Sequence, residues 1–567
     1  MGARVPWAMV GVAFLLLVGG AALAAGPVSH PSSTAAPSFS SGLVTAQDVL
    51  GWFRAITGTP PRAPGVRVAG VLLPLDLVAA LPQSVTSFTL RVSQASGGTP
   101  PEAIGASGLA DIFLDVSADG AHVAFNSNAT NLVAGDSNAQ TDAFVSDWQT
   151  HTTTRVSVAS DGSEADKGGG YGGVFLSGDG HYVAFDSLAT NLAPGGNAGN
   201  LDFVYRHNLQ APFETTRVSV SKAGGAASSH SYRPCMSADG RWVAFKSIAP
   251  NLLSGGTAPT TYQVFLKDMT LGDVYPISVN DAGDWATGES APAGISSDGN
   301  LVAFASAGTN LGGGSQIQVY LRNRTTNHTT CISARDGSTT PGNNESDGYV
   351  RSLSTDGRYL AFASQATDLV TGKATAQYDV YRRDLTTNST ILVSRGSDGT
   401  PGNAPSYGPA SVSADGRYVA FNSSATNLAD GGTNGSRQVF VHDCLIDPGV
   451  TSVVSVSNGG IQANGNSWGS SLSGDGHTCA FYSDATDLVS GDTNGVRDAF
   501  LRSRSSGTVV GDFDGDGIVA LPDLIHFRAE WVKAHTAQAW DPACDLNGDT
   551  KLDEKDAVIL LDNYLGH

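Results

Sequence analysis

The sequence predicts an all-β fold, a seven-bladed β-propeller, on three observations. The tetrapeptide Ser-x-Asp-Gly occurs seven times, and successive aspartates are 58 to 60 residues apart. Each unit around it contains four short apolar runs rich in β-branched and aromatic residues, which is the signature of strands. Glycine supplies 69 of the 567 residues and charged residues only 15%, which favours short strands joined by tight turns. Four-stranded units repeated in this way describe a ring that closes on itself. The repeated aspartates are Asp119, Asp179, Asp239, Asp298, Asp356, Asp415 and Asp475.

Residues 1–24 have the layout of a secretory signal peptide. Arg4 is the only charge before an apolar stretch from Val5 to Leu23, and Ala22-Leu23-Ala24 is a small-x-small cleavage pattern. The alternative is an uncleaved membrane anchor, because the stretch is close to the length that spans a bilayer. We expect cleavage, and therefore a secreted or cell-surface protein without a transmembrane helix.

Residues 25–86 are predicted to form a leader and an N-terminal segment. The part over 26–42 is rich in Ser, Pro and Ala and is typical of a flexible leader. Gln47–Ile56 is compatible with a short helix, and Val66–Ala79 is apolar enough to cover one face of the propeller.

Residues 87–94 are predicted to complete the seventh blade. The last unit has only three strands, ending at Ala499-Phe500-Leu501, before an acidic segment begins at Gly511. A spare strand at Leu90-Arg91-Val92-Ser93 matches the fourth strand of the first unit, Arg155-Val156-Ser157-Val158. Pairing of the spare strand with the last unit would lock the ring, so the propeller is predicted over residues 87–505.

The repeated unit also resembles a known family. Its form Ser-x-Asp-Gly-Arg-Tyr-Val-Ala-Phe-x-Ser, seen at Ser413–Ser423, is similar to the WD-repeat-like propeller units of the TolB type. The resemblance covers residues 87–505 and implies a propeller that serves mostly as a recognition scaffold, although some relatives carry enzymes. TolB-type propellers often have six blades, whereas seven units are present here.

The turn aspartates are expected to be structural. They are locked to the repeat, whereas a catalytic site is asymmetric, and an aspartate before glycine bonds nearby backbone amides. His181 and His477 share a slot with Arg241 of another unit and are interpreted as structural too. No nucleophile, zinc, phosphate-loop or dinucleotide motif occurs, so no catalytic residue is predicted. The acidic residues of the blades follow the repeat, and we find no asymmetric cluster that would favour an enzyme.

Two loops before third strands are rich in oxygen ligands. The loops 136–142 and 492–498 each carry aspartates and an asparagine that could hold calcium. Other units lose the last aspartate to Gln263, Gln318 and Gln438, which favours turns over metal sites.

Five cysteines are present, and they lack regular spacing or a CxxC motif. Most are interpreted as small buried hydrophobic residues. One disulfide, such as Cys444 with Cys479, remains open at this point.

The segment 511–567 holds 12 Asp and Glu against 4 Lys and Arg. Two loops within it place oxygen ligands at the spacing with which EF-hand-like loops bind Ca²⁺, the seventh position through its backbone carbonyl. An apolar helix is predicted after each loop, at Leu521–Ala534 and Glu554–Leu565. We predict two Ca²⁺ sites, with the ligands Asp512, Asp514, Asp516, Ile518 and Asp523, then Asp545, Asn547, Asp549, Lys551, Asp553 and Asp556.

A calcium loop and helix duplicated over 511–567, without the helix that precedes a full EF-hand, resembles a type I dockerin. The resemblance implies a small all-α calcium-binding domain that binds a cohesin-type module on another protein. Recognition residues in that family usually lie at loop positions that correspond here to Leu521, Pro522, Glu554 and Lys555. The Ser-Thr pair of clostridial dockerins is absent, and the two copies differ.

Three functions follow from these features. The leading hypothesis is an exported, non-catalytic binding protein, whose propeller recognises a protein or glycan and whose dockerin attaches it to a cohesin-bearing partner. The first alternative is a glycan-degrading enzyme with its site in the propeller channel. The second is a structural calcium module in the tail without a cohesin partner. The net charge of −20 argues against nucleic acid as a partner.

Overall fold

The computed structural model describes residues 87–504 except 97–102, 109–112, 198, 256–257, 349–350, 374, 430–431 and 446–448, together with Phe527, Cys544 and Lys551. In chain order the strands are β1 (Phe88–Arg91), β2 (Asp115–Val116), β3 (His122–Ser127), β4 (Asp142–Asp147), β5 (Thr152–Arg155), β6 (Gly169–Leu176), β7 (Tyr182–Ser187), β8 (Phe203–Asn208), β9 (Thr215–Arg217), β10 (Ser231–Met236), β11 (Trp242–Ser247), β12 (Gln263–Asp268), β13 (Val274–Pro276), β14 (Ser290–Ile295), β15 (Leu301–Ser306), β16 (Gln318–Asn323), β17 (His328–Cys331), β18 (Ser346–Asp347), β19 (Tyr359–Ser364), β20 (Asp379–Asp384), β21 (Thr390–Leu392), β22 (Ser406–Val412), β23 (Tyr418–Ser423), β24 (Gln438–Asp443), β25 (Val450–Val453), β26 (Ser467–Leu472), β27 (Thr478–Ser483) and β28 (Asp498–Ser503). Short 3-10 helices lie at Pro250–Leu252 and Thr309–Leu311 in the described part of the propeller.

The strands of the described residues form seven antiparallel sheets of four strands each. Blades 1 to 6 take consecutive strands: β2–β5, β6–β9, β10–β13, β14–β17, β18–β21 and β22–β25. Blade 7 consists of β26, β27 and β28 with β1 as its outer strand. The seven-bladed propeller predicted from the repeat is therefore the fold of this region, and the propeller class implied by the resemblance to TolB-type units is confirmed.

The ring is joined through its first strand. Phe88 lies opposite Ser503 and Arg91 opposite Phe500 in the ladder between β1 and β28. The segment beyond β1 continues the contact, because the Ser93 hydroxyl donates to Asp498 Oδ1 at 2.6 Å. The sequence placed a closing strand at 87–94, and β1 occupies that place.

The core of each blade is a pair of stacked aromatic rings. The phenylalanine of the Val-Ala-Phe strand faces an aromatic residue of the third strand, as in Phe421 and Phe440, whose centroids are 5.6 Å apart. Both rings are fully buried. An offset aromatic pair contributes about 0.5–1.5 kcal/mol beyond its buried area, so this repeated pair stabilises every blade.

The Asp-Gly turns follow one hydrogen-bond pattern in all seven blades. In blade 6 the Ser413 hydroxyl donates to Asp415 Oδ1 at 2.6 Å, and the Arg417 amide donates to the same oxygen at 2.9 Å. Gly416 has a φ of 77°, and a Cβ there would meet the ring of Tyr359 in the preceding blade at 2.0 Å. The turn aspartates are structural, as predicted, and the glycine permits close contact between blades.

Other sequence predictions meet the structure only in part. The five cysteines are free thiols, so Cys444 and Cys479 are not bridged. The signal peptide, residues 25–86 and nearly all of 511–567 lie outside the described residues; Phe527 is helical and buried, and Lys551 is exposed. Within the part of the chain that the structure describes, no helix is both long and apolar enough to cross a membrane.

Candidate functional site

The inner strands of the seven blades surround a central channel, and an ion pair between two blades spans this channel. Arg351 Nε contacts Asp115 Oδ1, joining blade 5 to blade 1. The Ser471 hydroxyl donates to the same carboxylate at 2.8 Å, and the Leu176 amide donates to its second oxygen at 2.9 Å. Arg351 Nη2 also donates to the Leu176 carbonyl at 3.2 Å.

Asp115 departs from the repeat. It stands four residues before the turn aspartate, a slot that Phe175, Cys235, Gly294, Ser352, Ser411 and Ser471 fill in the other blades. Complete burial raises the pKa of this carboxyl, and the guanidinium of Arg351 opposes the rise. A buried charge is tolerated because it is paired and hydrogen-bonded.

On the side of this ion pair where the Asp-Gly turns lie, the channel forms a mostly apolar cavity of about 480 Å³. Its wall comes mainly from one repeated slot, the residue three before each turn aspartate, filled by Leu176, Met236, Ile295, Leu353, Val412 and Leu472. This end of the channel is nearly the same in every blade.

The opposite end differs from blade to blade. A second cavity, of about 380 Å³, lies there, and we call it the aromatic mouth; its lining residues are Phe113, Arg233, Asp347, Tyr407, Gly408, Pro409, Asn422, Arg437, Trp468 and Gly469. The inner strands of blades 3, 6 and 7 shift register close to this end, between Tyr232 and Cys235 in blade 3, for example. Bulges of this kind re-aim side chains and are common beside functional sites.

Aromatic rings and cations alternate around the aromatic mouth. Tyr407 lies 5.7 Å from Tyr378, and the guanidinium of Arg437 lies 5.3 Å from the Tyr407 centroid. The guanidinium of Arg497 lies 3.9 Å from the ring of Trp468. Tyr407 and Trp468 are only half-buried, so their rings are available to a ligand.

A second group of cations and rings lies in blades 3 and 4. Lys246 contacts Glu289 and lies 5.5 and 5.3 Å from the rings of Tyr232 and Tyr262. Burial lowers the pKa of this lysine, and Glu289 opposes the change.

One variable position of the repeat supplies several of these residues. The residue between Phe and Ser of the second strand is Asn126, Asp186, Lys246, Ala305, Ala363, Asn422 and Tyr482 in blades 1 to 7. The prediction that acidic residues of the blades follow the repeat is therefore wrong for Asp115 and Asp186. Comparing this position across the seven units would have found the signal.

Asp186 is the carboxyl at this variable position of the repeat, and its pKa is strongly shifted. It is 1% exposed and accepts the Gly172 amide at 2.7 Å. Burial raises its pKa to about 7, the charge of Asp202 adds to the rise, and Arg233 opposes it. A buried carboxyl that exchanges its proton near neutrality is a candidate for acid–base chemistry.

The oxygen-rich loops before the third strands are contacted by arginines of the fourth strands, Arg155 of β5 and Arg91 of β1. In blade 1 the guanidinium of Arg155 lies 3.4 Å from Asp136 and 2.5 Å from Glu164. In blade 7 Arg91 Nη1 lies 3.6 Å from both Asp492 and Asp498. Arginine thus supplies the positive charge among these carboxylates. Burial, with the charge of Asp142, still raises the pKa of Asp136 to about 6.

The tail residues predicted as calcium ligands lie outside the described residues apart from Lys551, and so do the four residues that the dockerin resemblance implied for partner binding.

No protein-family model matches the chain, and no curated protein matches its sequence. Solved structures share a similar architecture at low identity. A protein described as a putative TolB from Agrobacterium tumefaciens is 18% identical, with a TM-score of 0.33, covering 54% of this chain and 84% of its own. The β-propeller domain of the Trilobed protease from Pyrococcus furiosus is 10% identical (TM-score 0.40; 69% and 95% covered). An oligogalacturonate lyase in complex with manganese is 14% identical (TM-score 0.42; 75% and 98%). The described residues form a seven-bladed propeller. One end of its channel is lined by residues that recur in the blades, and the other end by residues that differ between blades.

Proposed function

We propose that the protein is an exported binding protein whose aromatic mouth binds a saccharide and whose C-terminal segment attaches it to a partner. The observation that carries the first part is the pair of half-buried rings, Tyr407 and Trp468, on a cavity that also presents Asn422 and two arginines. Sugar rings offer C–H groups on a face and hydroxyls at the edge, so they suit aromatic faces bordered by polar groups. The size of the cavity is also within the range of small-ligand sites.

The test is binding of the full-length protein to an array of oligosaccharides, followed by calorimetry on those that bind. Trp468→Ala and Tyr407→Ala should each weaken binding by about tenfold or more, because hot-spot aromatics commonly contribute 2 kcal/mol or more. Phe213→Ala removes a ring that is 54% exposed and does not line the cavity, so it serves as the control. Unchanged affinity in both mouth variants would contradict the assignment.

The attachment to a partner is proposed for residues 511–567. Its support is the duplicated ligand pattern, in which carboxylates at alternate positions repel one another unless an ion is bound, so that binding of Ca²⁺ and folding are coupled. We propose that two Ca²⁺ ions bind there and that a cohesin-type module docks at Leu521, Pro522, Glu554 and Lys555.

The experiment compares the full-length protein with the double variant Asp516→Ala, Asp549→Ala, using calcium titration and a cohesin module as the probe. We expect the variant, or chelation with EDTA, to abolish binding of the module. Asp541→Ala, in the same segment but outside the ligand pattern, should bind normally. Binding of calcium without binding of any cohesin would favour a structural module instead.

A second candidate, a glycan-cleaving enzyme, is favoured by Asp186. This carboxyl has a pKa raised by burial to about 7, feels the charge of Arg233 of the aromatic mouth, and could donate or accept a proton near neutral pH. Release of shortened oligosaccharides by the protein, lost in Asp186→Asn, would establish this activity. Intact oligosaccharides after prolonged incubation would leave the binding function.

A further inference from the structure

We infer that the saccharide bound at the aromatic mouth is anionic, with its carboxylate or sulfate group held by Arg233 and Arg437. The inference rests on the proposed function and adds the chemical class of the ligand. It depends on three observations: two arginines that form no ion pair among the described residues, a buried amide oxygen without a hydrogen bond, and the contrast with the charge of the whole chain.

Several arginines of the propeller are already paired with carboxylates. Arg241, Arg358 and Arg417 bind Asp268, Asp384 and Asp443, and Arg497 binds Asp484. Arg233 and Arg437 both line the aromatic mouth, and neither forms an ion pair with any carboxylate of the described residues.

The orientation of these two arginines is set locally. Arg233 is exposed and has a φ of 52°, at the register shift of β10. Arg437 is half-buried against the ring of Tyr407, and its amide donates to Asn466 Oδ1 at 3.0 Å. A guanidinium packed on an aromatic ring keeps its edge donors free for a planar anion.

Asn422 is the second observation. It is 2% exposed, and its Nδ2 donates to the Gly408 carbonyl at 3.0 Å. Its Oδ1 is buried and has no hydrogen-bond partner among the described residues, and the residue itself belongs to the wall of the cavity. An unsatisfied buried acceptor is costly, and a hydroxyl of a bound sugar would satisfy it.

Charge supplies the third observation. The protein carries a net charge of −20, yet the lining of this cavity contains two guanidiniums and one carboxylate, that of Asp347. Attraction of an anion to this cavity has to overcome the repulsion of a chain with a large net negative charge. The arginines therefore act at short range, where charge-assisted hydrogen bonds are strongest.

The experiment is calorimetry of the full-length protein with four tetrasaccharides at about 50 and 300 mM sodium chloride. They are an oligomer of uronic acids, the same oligomer with its carboxylates methyl-esterified, a sulfated neutral oligomer and a neutral oligomer. We expect the uronate or the sulfated oligomer to bind at least about tenfold more tightly than its uncharged counterpart, since hydrogen bonds to charged groups contribute that much. Which of the two binds identifies the anionic group.

The variants are Arg233→Gln and Arg437→Gln, with Arg335→Gln as the matched control because Arg335 pairs with Asp368 away from this cavity. Each mouth variant should weaken the binding of the anionic ligand about tenfold and that of the neutral ligand less than about twofold. Asn422→Ser replaces the amide by a shorter side chain with a hydroxyl, removes the Oδ1 acceptor, and should weaken the binding of both ligands alike.

Two results overturn the inference in different ways. If neutral and anionic oligomers bind equally and the glutamine variants bind like the parent protein, the anionic class is wrong and the saccharide site stands. If no oligomer binds, while thermal melting shows a folded protein, the proposed function fails as well.

Discussion

The two ends of the propeller channel are formed by the same seven inner strands, yet they differ in how far they keep the repeat. At the Asp-Gly end each blade presents the same serine, aspartate and glycine, and one repeated apolar slot supplies most of the cavity wall. Towards the aromatic mouth the strands of blades 3, 6 and 7 shift register, and the cavity is lined by residues that differ between blades, such as Arg233, Tyr407 and Trp468.

The difference shows that two requirements act on one repeating unit, the packing of the blades and the binding of a ligand. A residue that recurs in every blade contributes to the packing of blades against one another, because that requirement is the same seven times. A residue that occurs in one blade alone is free of that packing requirement, so the identity of this residue can be set by ligand binding. Substitutions at repeated positions should therefore change stability, whereas substitutions at the aromatic mouth should change binding.

The largest expected effect comes from removal of the closing strand. Deletion of residues 26–95 removes the ladder to β28 and the buried residues Thr89, Val92 and Ser93. We expect a loss of more than about 5 kcal/mol and a fall in Tm of roughly 10 °C or more, measured by calorimetry. Deletion of 26–86 keeps β1 and is the control; equal melting of the two proteins would contradict the role of β1.

The next effect is a dependence of stability on pH caused by Asp186. Its folded-state pKa of about 7 lies above the ordinary 3.8, so the folded protein keeps a proton that the unfolded chain has lost. Stability should therefore fall as the pH rises between about 4 and 7, by up to about 4 kcal/mol from this group. Urea unfolding should show a smaller fall in Asp186→Asn. Parallel pH profiles for the two proteins would show that Asp186 is ionised throughout.

A smaller effect is expected at the glycine of an Asp-Gly turn. Gly416→Ala forces a side chain onto Tyr359 at a positive φ, and we expect a cost of about 3 kcal/mol. Gly435→Ala is the matched control, since Gly435 has a similar φ of 83° and no atom within 4 Å of its would-be Cβ. It should cost about 1 kcal/mol. Equal losses in denaturant titrations would mean that contact between blades adds nothing.

The smallest effect separates two arginines. Arg417 belongs to the repeated end and donates through Nη2 to Asp443 at 2.7 Å, so Arg417→Gln should cost about 1–2 kcal/mol of stability. Arg437→Gln at the aromatic mouth should change stability by less than about 0.5 kcal/mol. Thermal melting of both variants checks the contrast, and a larger loss for Arg437 would assign it to the framework of the fold.

Much of the propeller could be predicted because its cause is repeated seven times in the sequence. The spacing of Asp415 from its equivalents, the glycine after it and the buried Val-Ala-Phe strand each reflect local turn or packing requirements. The missing fourth strand of the last unit likewise indicated where a partner strand had to come from, and β1 lies there.

The candidate site was harder to predict, because it depends on residues that are brought together around the ring. Asp115 and Arg351 are far apart in sequence, and no spacing rule relates them. Asp186 and Asn422 could have been noticed as exceptions at one repeated position, but the burial of Asp186 and the place of Asn422 in a cavity wall follow only from the three-dimensional arrangement. The exception to a repeat is thus the signal to look for in proteins of this architecture.

The closing strand has a consequence for how the molecule is made. Ser87 and Arg502 form a hydrogen bond across 415 residues of chain, so the segment synthesised first among the blades finds its partner last. Until that moment β28 has an open edge, which is prone to pairing with other chains. Contacts this distant in sequence also slow folding. A nascent chain that carries every blade but the last therefore has a ring that is still open, and it is vulnerable to proteases and to pairing with other chains. The ring closes only when blade 7 has been synthesised and pairs with β1.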